Sequence, residues 1–208
     1  MNYILSIIIG YLLGSIPTAY LVLKKTHSIN ITESGTGNVG AMNSFEVTNS
    51  KIIGILVFVI DALKGLLSAY LVILILPVDF TFPALSLLFA VFSHCFNPWL
   101  KFKGGRGLAT AAGGAALISP LILFSWGILW VIIYFFKKDI LIANVGAIIL
   151  TLLLTLVTFE IFFKYTYPTP GNMGLLIMFS ASLLLIIFIK HIDPLKKIIN
   201  KQNDSIQR

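Results

Sequence analysis

Cysteine is nearly absent. Cys95 is the only one in 208 residues, so no intrachain disulfide can form and the redox compartment stays undetermined. Histidine is scarce as well, with three in the chain, and no two stand at metal-ligand spacing on one helix, so a zinc site is not expected. Charged residues make up only 11% of the chain against 58% hydrophobic, which excludes an ordinary soluble domain. No internal repeat or low-complexity tract divides it, so residues 1–208 read as one domain, and the sign of a transporter with inverted halves is missing. No basic segment precedes the first apolar run, which argues against a cleaved signal peptide.

What the chain has instead is apolar runs. A helix needs about 20 apolar residues to cross a bilayer. The runs 3–23, 52–76, 81–100, 120–136, 140–163 and 172–190 qualify, and 107–118 is apolar but short. The basic residues decide whether the short run crosses or re-enters. If it crosses, thirteen flanking Lys and Arg share one side, only Lys164 lies opposite, and Lys64 is inside a span. If it re-enters, they divide seven against seven. Cytoplasmic loops collect Lys and Arg. The expectation is an all-α polytopic membrane protein with seven transmembrane helices, N-terminus outside and C-terminus cytoplasmic. The same asymmetry accounts for the net charge of +7 without nucleic acid. Residues 24–51, the 101–106 turn and the tail after 190 then share the cytoplasmic face, where the chemistry is expected.

Two of these loops are rich in glycine. "ESGTGNVGAMN" (Glu33 to Asn43) interleaves Gly35, Gly37 and Gly40 with Ser34, Thr36, Asn38 and Asn43. Such a loop can turn backbone N–H groups toward one anion, with hydroxyls and amides as further donors; an ordinary flexible loop has the same composition. In "KFKGGRGLATAAGG" (Lys101 to Gly114), Gly104, Gly105 and Gly107 precede a helix start near Leu108, beside Lys101, Lys103 and Arg106. A helix N-terminus with cations beside it makes an oxyanion or phosphate cradle; the plainer alternative is a tight positive-inside turn. It is not a Walker loop, whose glycine-to-Gly-Lys-Ser/Thr spacing is missing. His94 and His191 end their spans on this same face. Asp61 and Lys64, three apart inside a span, read as an ion pair, since charge in a membrane is costly unless paired or functional. Glu160 and Lys164 read as an interfacial pair.

Together these stretches resemble the bacterial integral-membrane acyl-phosphate:glycerol-3-phosphate acyltransferases, as a divergent member. The likeness runs in order through "GSIPTAYLV" (Gly14 to Val22), "SGTGNVGAMN" (Ser34 to Asn43), "DALKG" (Asp61 to Gly65) and "HCFNPWLKFKGGRGLAT" (His94 to Thr110). The resemblance implies a seven-span enzyme of the inner (plasma) membrane with a cytoplasmic active site. It would transfer a fatty acyl group from acyl phosphate to the 1-hydroxyl of glycerol 3-phosphate, giving lysophosphatidate and phosphate for phospholipid synthesis. No cofactor, acyl-CoA or metal is implied, and no His is followed by Asp five positions later, so the His-x4-Asp motif of other glycerolipid acyltransferases is absent. The enzyme that forms the acyl phosphate is a candidate partner.

On this reading Lys103, Gly104, Gly105, Arg106 and Gly107 hold the acyl phosphate, the glycines through backbone N–H groups. Ser34, Thr36, Gly37, Asn38 and Asn43 hold glycerol 3-phosphate. His191, His94 and Ser34 are the candidate catalytic residues; the base is a histidine or a phosphate oxygen of the substrate, and an acyl-enzyme on Ser34 lacks an obvious histidine partner. The chain also departs from the family pattern. Met42 replaces Thr, Glu46 replaces an Arg expected near a phosphate, Arg106 replaces Lys, and the terminal His-x-x-Asn-Ile-x-Arg is "HIDPLKK" with Pro194 in place of Asn. Lys51 is the nearest cation in the chain to offset Glu46. A changed acceptor, a non-catalytic homologue and a transporter of a phosphorylated anion are the alternative readings.

Overall fold

The structure, a computed structural model, describes residues 1–206; Arg208 and the side chain of Lys201, both counted in the charge asymmetry, lie outside the described residues. It is all-helical, and five helices are long and apolar enough to cross a membrane by length and composition. The helices are α1 (Asn2–Gly14), α2 (Thr18–His27), α3 (Ala41–Thr48), α4 (Lys51–Ile75), α5 (Thr81–Cys95), α6 (Leu108–Ile118), α7 (Pro120–Lys137), α8 (Ile140–Val157), α9 (Phe159–Lys164) and α10 (Met173–Ile206). With 15 residues in α5 and 11 in α6, these two fall short of the crossing length reached by α4 and α10.

Local chemistry sets the boundaries. Three runs expected to be unbroken are interrupted, and one of them, 81–100, leaves the helix after Cys95 ahead of a short turn at Pro98–Leu100. The first breaks at Pro17, which has no N–H to continue α1. The run 140–163 breaks at Thr158, between α8 and α9. Ser50 caps α4 by accepting from Ile53 N–H, and Asp139 caps α8 by accepting from Leu141 and Ile142 N–H at 2.8 and 2.9 Å. Lys164 lies over the Tyr165 ring, and no ion pair joins it to Glu160 among the described residues, so the expected interfacial pair is not formed.

α4 lies against α6 and α5, α1 against α5, α7 against α8, and α10 against α8 and α5. In lipid, burying an apolar side chain gains little, so helices associate by close packing and internal hydrogen bonds. Both are present. A Cβ on Gly65 of α4 would overlap the Thr110 carbonyl of α6, and one on Gly113 of α6 would overlap the Ala62 carbonyl of α4. Gly10 and Gly14 let α1 approach the Ser86 and Ala90 backbone of α5 in the same way. The outer face of α7, with Phe124, Ile128, Val131, Phe135 and Phe136, is exposed and apolar, as a lipid-facing surface must be.

Candidate active site

The break between α1 and α2 leaves the Ser15 and Ile16 carbonyls outside the helical ladder, with Thr18 N–H donating to Ile16 O at 2.9 Å. Asn97 Nδ2 donates to Ser15 O at 2.7 Å, and Lys64 Nζ donates to Ile16 O at 2.8 Å. Lys64 also lies 2.8 Å from Asp61 Oδ1, one turn earlier on α4, and the two residues are only 4% and 2% exposed. The expected ion pair is therefore formed, but not in isolation. His94 of α5 places Nδ1 3.3 Å from Lys64 Nζ and 3.9 Å from Asp61 Oδ1.

His94 connects this buried cluster to the second glycine loop. Gly105 N–H donates to His94 O at 3.1 Å, and a Cβ on Gly105 would overlap the imidazole Nε2. A Cβ on Gly104 would overlap the carbonyls of His94 and Cys95. The adjacent glycines thus let the loop lie directly on the end of α5. This corrects one expectation: the Gly105 N–H is already engaged and is not offered to a ligand. Gly107, at φ +85°, turns the chain into α6, whose first N–H groups have no side-chain cap.

The first loop is organised by Asn43, which is 1% exposed. Its Oδ1 accepts from Thr36 N–H at 2.9 Å, and its Nδ2 donates to Ser34 O at 3.1 Å and Asn38 O at 2.9 Å. That amide is spent inside the loop, so Asn43 shapes the site and does not offer free donors to it. Ser34 Oγ donates to Asn30 O at 2.9 Å and has no histidine partner. Gly37 N–H donates to Ser34 O, and Thr36 Oγ1 accepts from Asn38 N–H. Val39 N–H donates to Gly104 O at 3.3 Å and ties the two glycine loops together.

Three cavities meet where these loops join, and Asn38 and Arg106 border all three. The first is a polar basin of about 690 Å³ that includes Thr36, Gly37, Lys103, Gly104, Lys190 and Lys197. The second holds Glu46, Lys138 and Asp139. The third is a cleft between the helices, lined by Asp61, His94, Gly107 and Asn144 together with Phe58, Leu108, Trp126 and Trp130. Burial pushes the Arg106 guanidinium pKa down, and the Glu46 carboxylate opposes that shift. Glu46 shares its cavity with Arg106 and Lys138, and Lys51 does not border it.

His191 is fully buried on α10. Its Nδ1 is 2.8 Å from Ile187 O, a carbonyl that can only accept, so Nδ1 carries the proton. Its Nε2 faces Asn144 Nδ2 of α8 at 3.4 Å. The candidate base thus has both nitrogens engaged and does not border the cleft, although Asn144 does. Sequence reasoning missed Asn144 and Lys190. Asn144 was visible as a lone amide in an apolar run. Lys190, whose Nζ lies 4.9 Å from the centroid of the Phe96 ring, was hidden among the positive-inside residues.

A family model described as glycerol-3-phosphate acyltransferase matches residues 4–201. A glycerol-3-phosphate acyltransferase of Ehrlichia chaffeensis is 30% identical over 201 residues, covering 96% of this chain and 94% of the relative. One from Streptococcus pyogenes serotype M5 is 34% identical over 202 residues, covering 95% and 90%. The crystal structure of PlsY (YgiH), an integral membrane glycerol 3-phosphate acyltransferase, superposes in its glycerol 3-phosphate form with a TM-score of 0.79 at 25% identity, covering 97% of this chain and 94% of that one.

Proposed function

The chain belongs to the glycerol-3-phosphate acyltransferase family, and from this premise we propose that it joins its two substrates where the three cavities meet. It is a membrane acyltransferase that acylates glycerol 3-phosphate in phospholipid synthesis. The donor is an acyl phosphate. Its chain lies along Phe58, Leu108, Trp126 and Trp130, and its phosphate meets Arg106 and the free N–H groups at the start of α6. The acceptor phosphate sits in the basin with Lys103, Lys190 and Lys197. The observation that carries this reading is that Asn38 and Arg106 border the basin and the apolar cleft alike, so a water-soluble phosphate and a lipid phosphate can meet across them.

The 1-hydroxyl oxygen attacks the acyl carbonyl carbon. The carbon–oxygen bond to phosphate then breaks, and phosphate departs with the electron pair. The hydroxyl proton passes to a phosphate oxygen of the bound substrates, since His191 has both nitrogens engaged and Ser34 has no base beside it. Phosphate is already a good leaving group, so orientation and electrostatic stabilisation supply most of the catalysis. Seven crossings with the N-terminus outside place this site at the cytoplasmic face of the plasma membrane, with α5 and α6 as short crossings. Purified protein should release phosphate from acyl phosphate only when glycerol 3-phosphate is present. Transfer from acyl-CoA at an equal rate, or no release at all, overturns the proposal.

A further inference from the structure

We infer that His94 serves this reaction as a hydrogen-bond donor through Nε2–H, and that Lys64 and Asp61 are positioning residues that fix this tautomer. The inference rests on the acyl transfer proposed above. An ammonium group has donors and no acceptor. Lys64 Nζ is 2.8 Å from the Ile16 carbonyl, so it already donates there, and its charge is matched by Asp61 at 2.8 Å. At 3.3 Å from Nζ, His94 Nδ1 can only be the acceptor. The competing partner for Nδ1, Asp61 Oδ1, is 3.9 Å away, beyond hydrogen-bond reach. An imidazolium here would add a second cation against the ammonium in a buried site holding one carboxylate, so the ring is neutral. The single ring proton is therefore on Nε2.

That nitrogen makes no hydrogen bond among the described residues and lies against Gly105, where the loop has no side chain to cover it. His94 borders the same cleft as Arg106, Gly107 and Ala109 at the start of α6. In that cleft the acyl carbonyl oxygen gains negative charge as the hydroxyl adds to its carbon. A donor aimed at developing charge accelerates the step, and removing one such donor costs about 10²–10³-fold in kcat. The assignment also explains a charged pair inside a membrane helix. Lys64 holds the α1–α2 break and, through His94 Nδ1, keeps the ring proton on Nε2.

The nitrogen spectrum of the histidine-labelled full-length protein in detergent tests this without turnover. His94 is identified by loss of its signals in His94→Gln. The expected result is an unprotonated Nδ1 and a protonated Nε2, with the Nε2–H resonance moving when a stable acyl phosphonate is added. A protonated Nδ1, or a resonance indifferent to the phosphonate, overturns the inference. In kinetics, His94→Ala should lower kcat about 10²–10³-fold with KM for glycerol 3-phosphate little changed. His94→Gln, which keeps an N–H donor, should stay at least about tenfold more active than His94→Ala. A base would be lost equally in both, so equal inactivity of two folded variants counts against the donor role. Lys64→Met alone strands a buried carboxylate, so the double variant Asp61→Asn with Lys64→Met is the folded control, and it should show mixed His94 tautomers. A wild-type protein that moves the resonance but acylates no glycerol 3-phosphate would sink the acceptor assignment alone.

Discussion

Replacing Arg106 by alanine removes the one cation among the described residues that borders all three cavities. A hydrogen bond to a charged group contributes about 1.5–3 kcal/mol, and a guanidinium can offer two N–H groups to one phosphate. Part of that attraction is already set against Glu46 and the cost of burial. A loss of about 2–4 kcal/mol in kcat/KM follows, or roughly 30- to 1000-fold. The same substitution leaves Glu46 on its cavity without the guanidinium that shares it. Adding Glu46→Gln should then recover about 0.5–1 kcal/mol, or two- to fivefold, a modest figure because Glu46 is exposed and solvent screens it. Initial rates of phosphate release in detergent micelles give both numbers, with size-exclusion profiles confirming that each variant is folded. An Arg106→Ala protein with wild-type kcat/KM for acyl phosphate would refute the assignment of this loop.

Other predictions concern topology, covalent chemistry and packing. In a chain with Cys95 replaced, a cysteine at Thr169 should react with a membrane-impermeant thiol reagent in intact cells and one at Lys25 should not; the reverse pattern would put the glycine loops outside. Acyl phosphate supplied without glycerol 3-phosphate should leave no acyl group on the protein by intact mass, because the Ser34 hydroxyl donates to Asn30 O and has no histidine beside it; an acylated Ser34 would reverse that reading. Gly65→Ala should cost about 1–3 kcal/mol by forcing α4 from the Thr110 carbonyl of α6, seen as a fall of about 5 °C in the thermal midpoint in detergent. An unchanged midpoint would show that the two backbones are not in close contact.

The membrane class, the family and the two glycine loops were legible because apolar run length and motif order are properties of the chain itself. Element boundaries were less so. The break at Pro17 was hidden in an apolar run, and its cost is met by Asn97 and Lys64, which lie 82 and 48 residues from the carbonyls they satisfy. The roles of Asn43 and Gly105 depended on which polar groups fold back on the loops, which no spacing discloses. Glu46 showed the same limit: proximity in sequence pointed to Lys51, whereas the fold sets Glu46 on one cavity with Arg106 and Lys138. The Asp61–Lys64 spacing gave the ion pair, but the third member came from a different helix.

The central claim is that the 1-hydroxyl oxygen of glycerol 3-phosphate attacks the acyl carbonyl carbon and displaces phosphate. Glycerol 3-phosphate carrying oxygen-18 in its 1-hydroxyl tests this directly. Mass spectrometry of the products should place the label in the ester of lysophosphatidate and leave the released phosphate unlabelled. Label lost from the lipid, or a doubly phosphorylated glycerol formed with free fatty acid, would contradict the account.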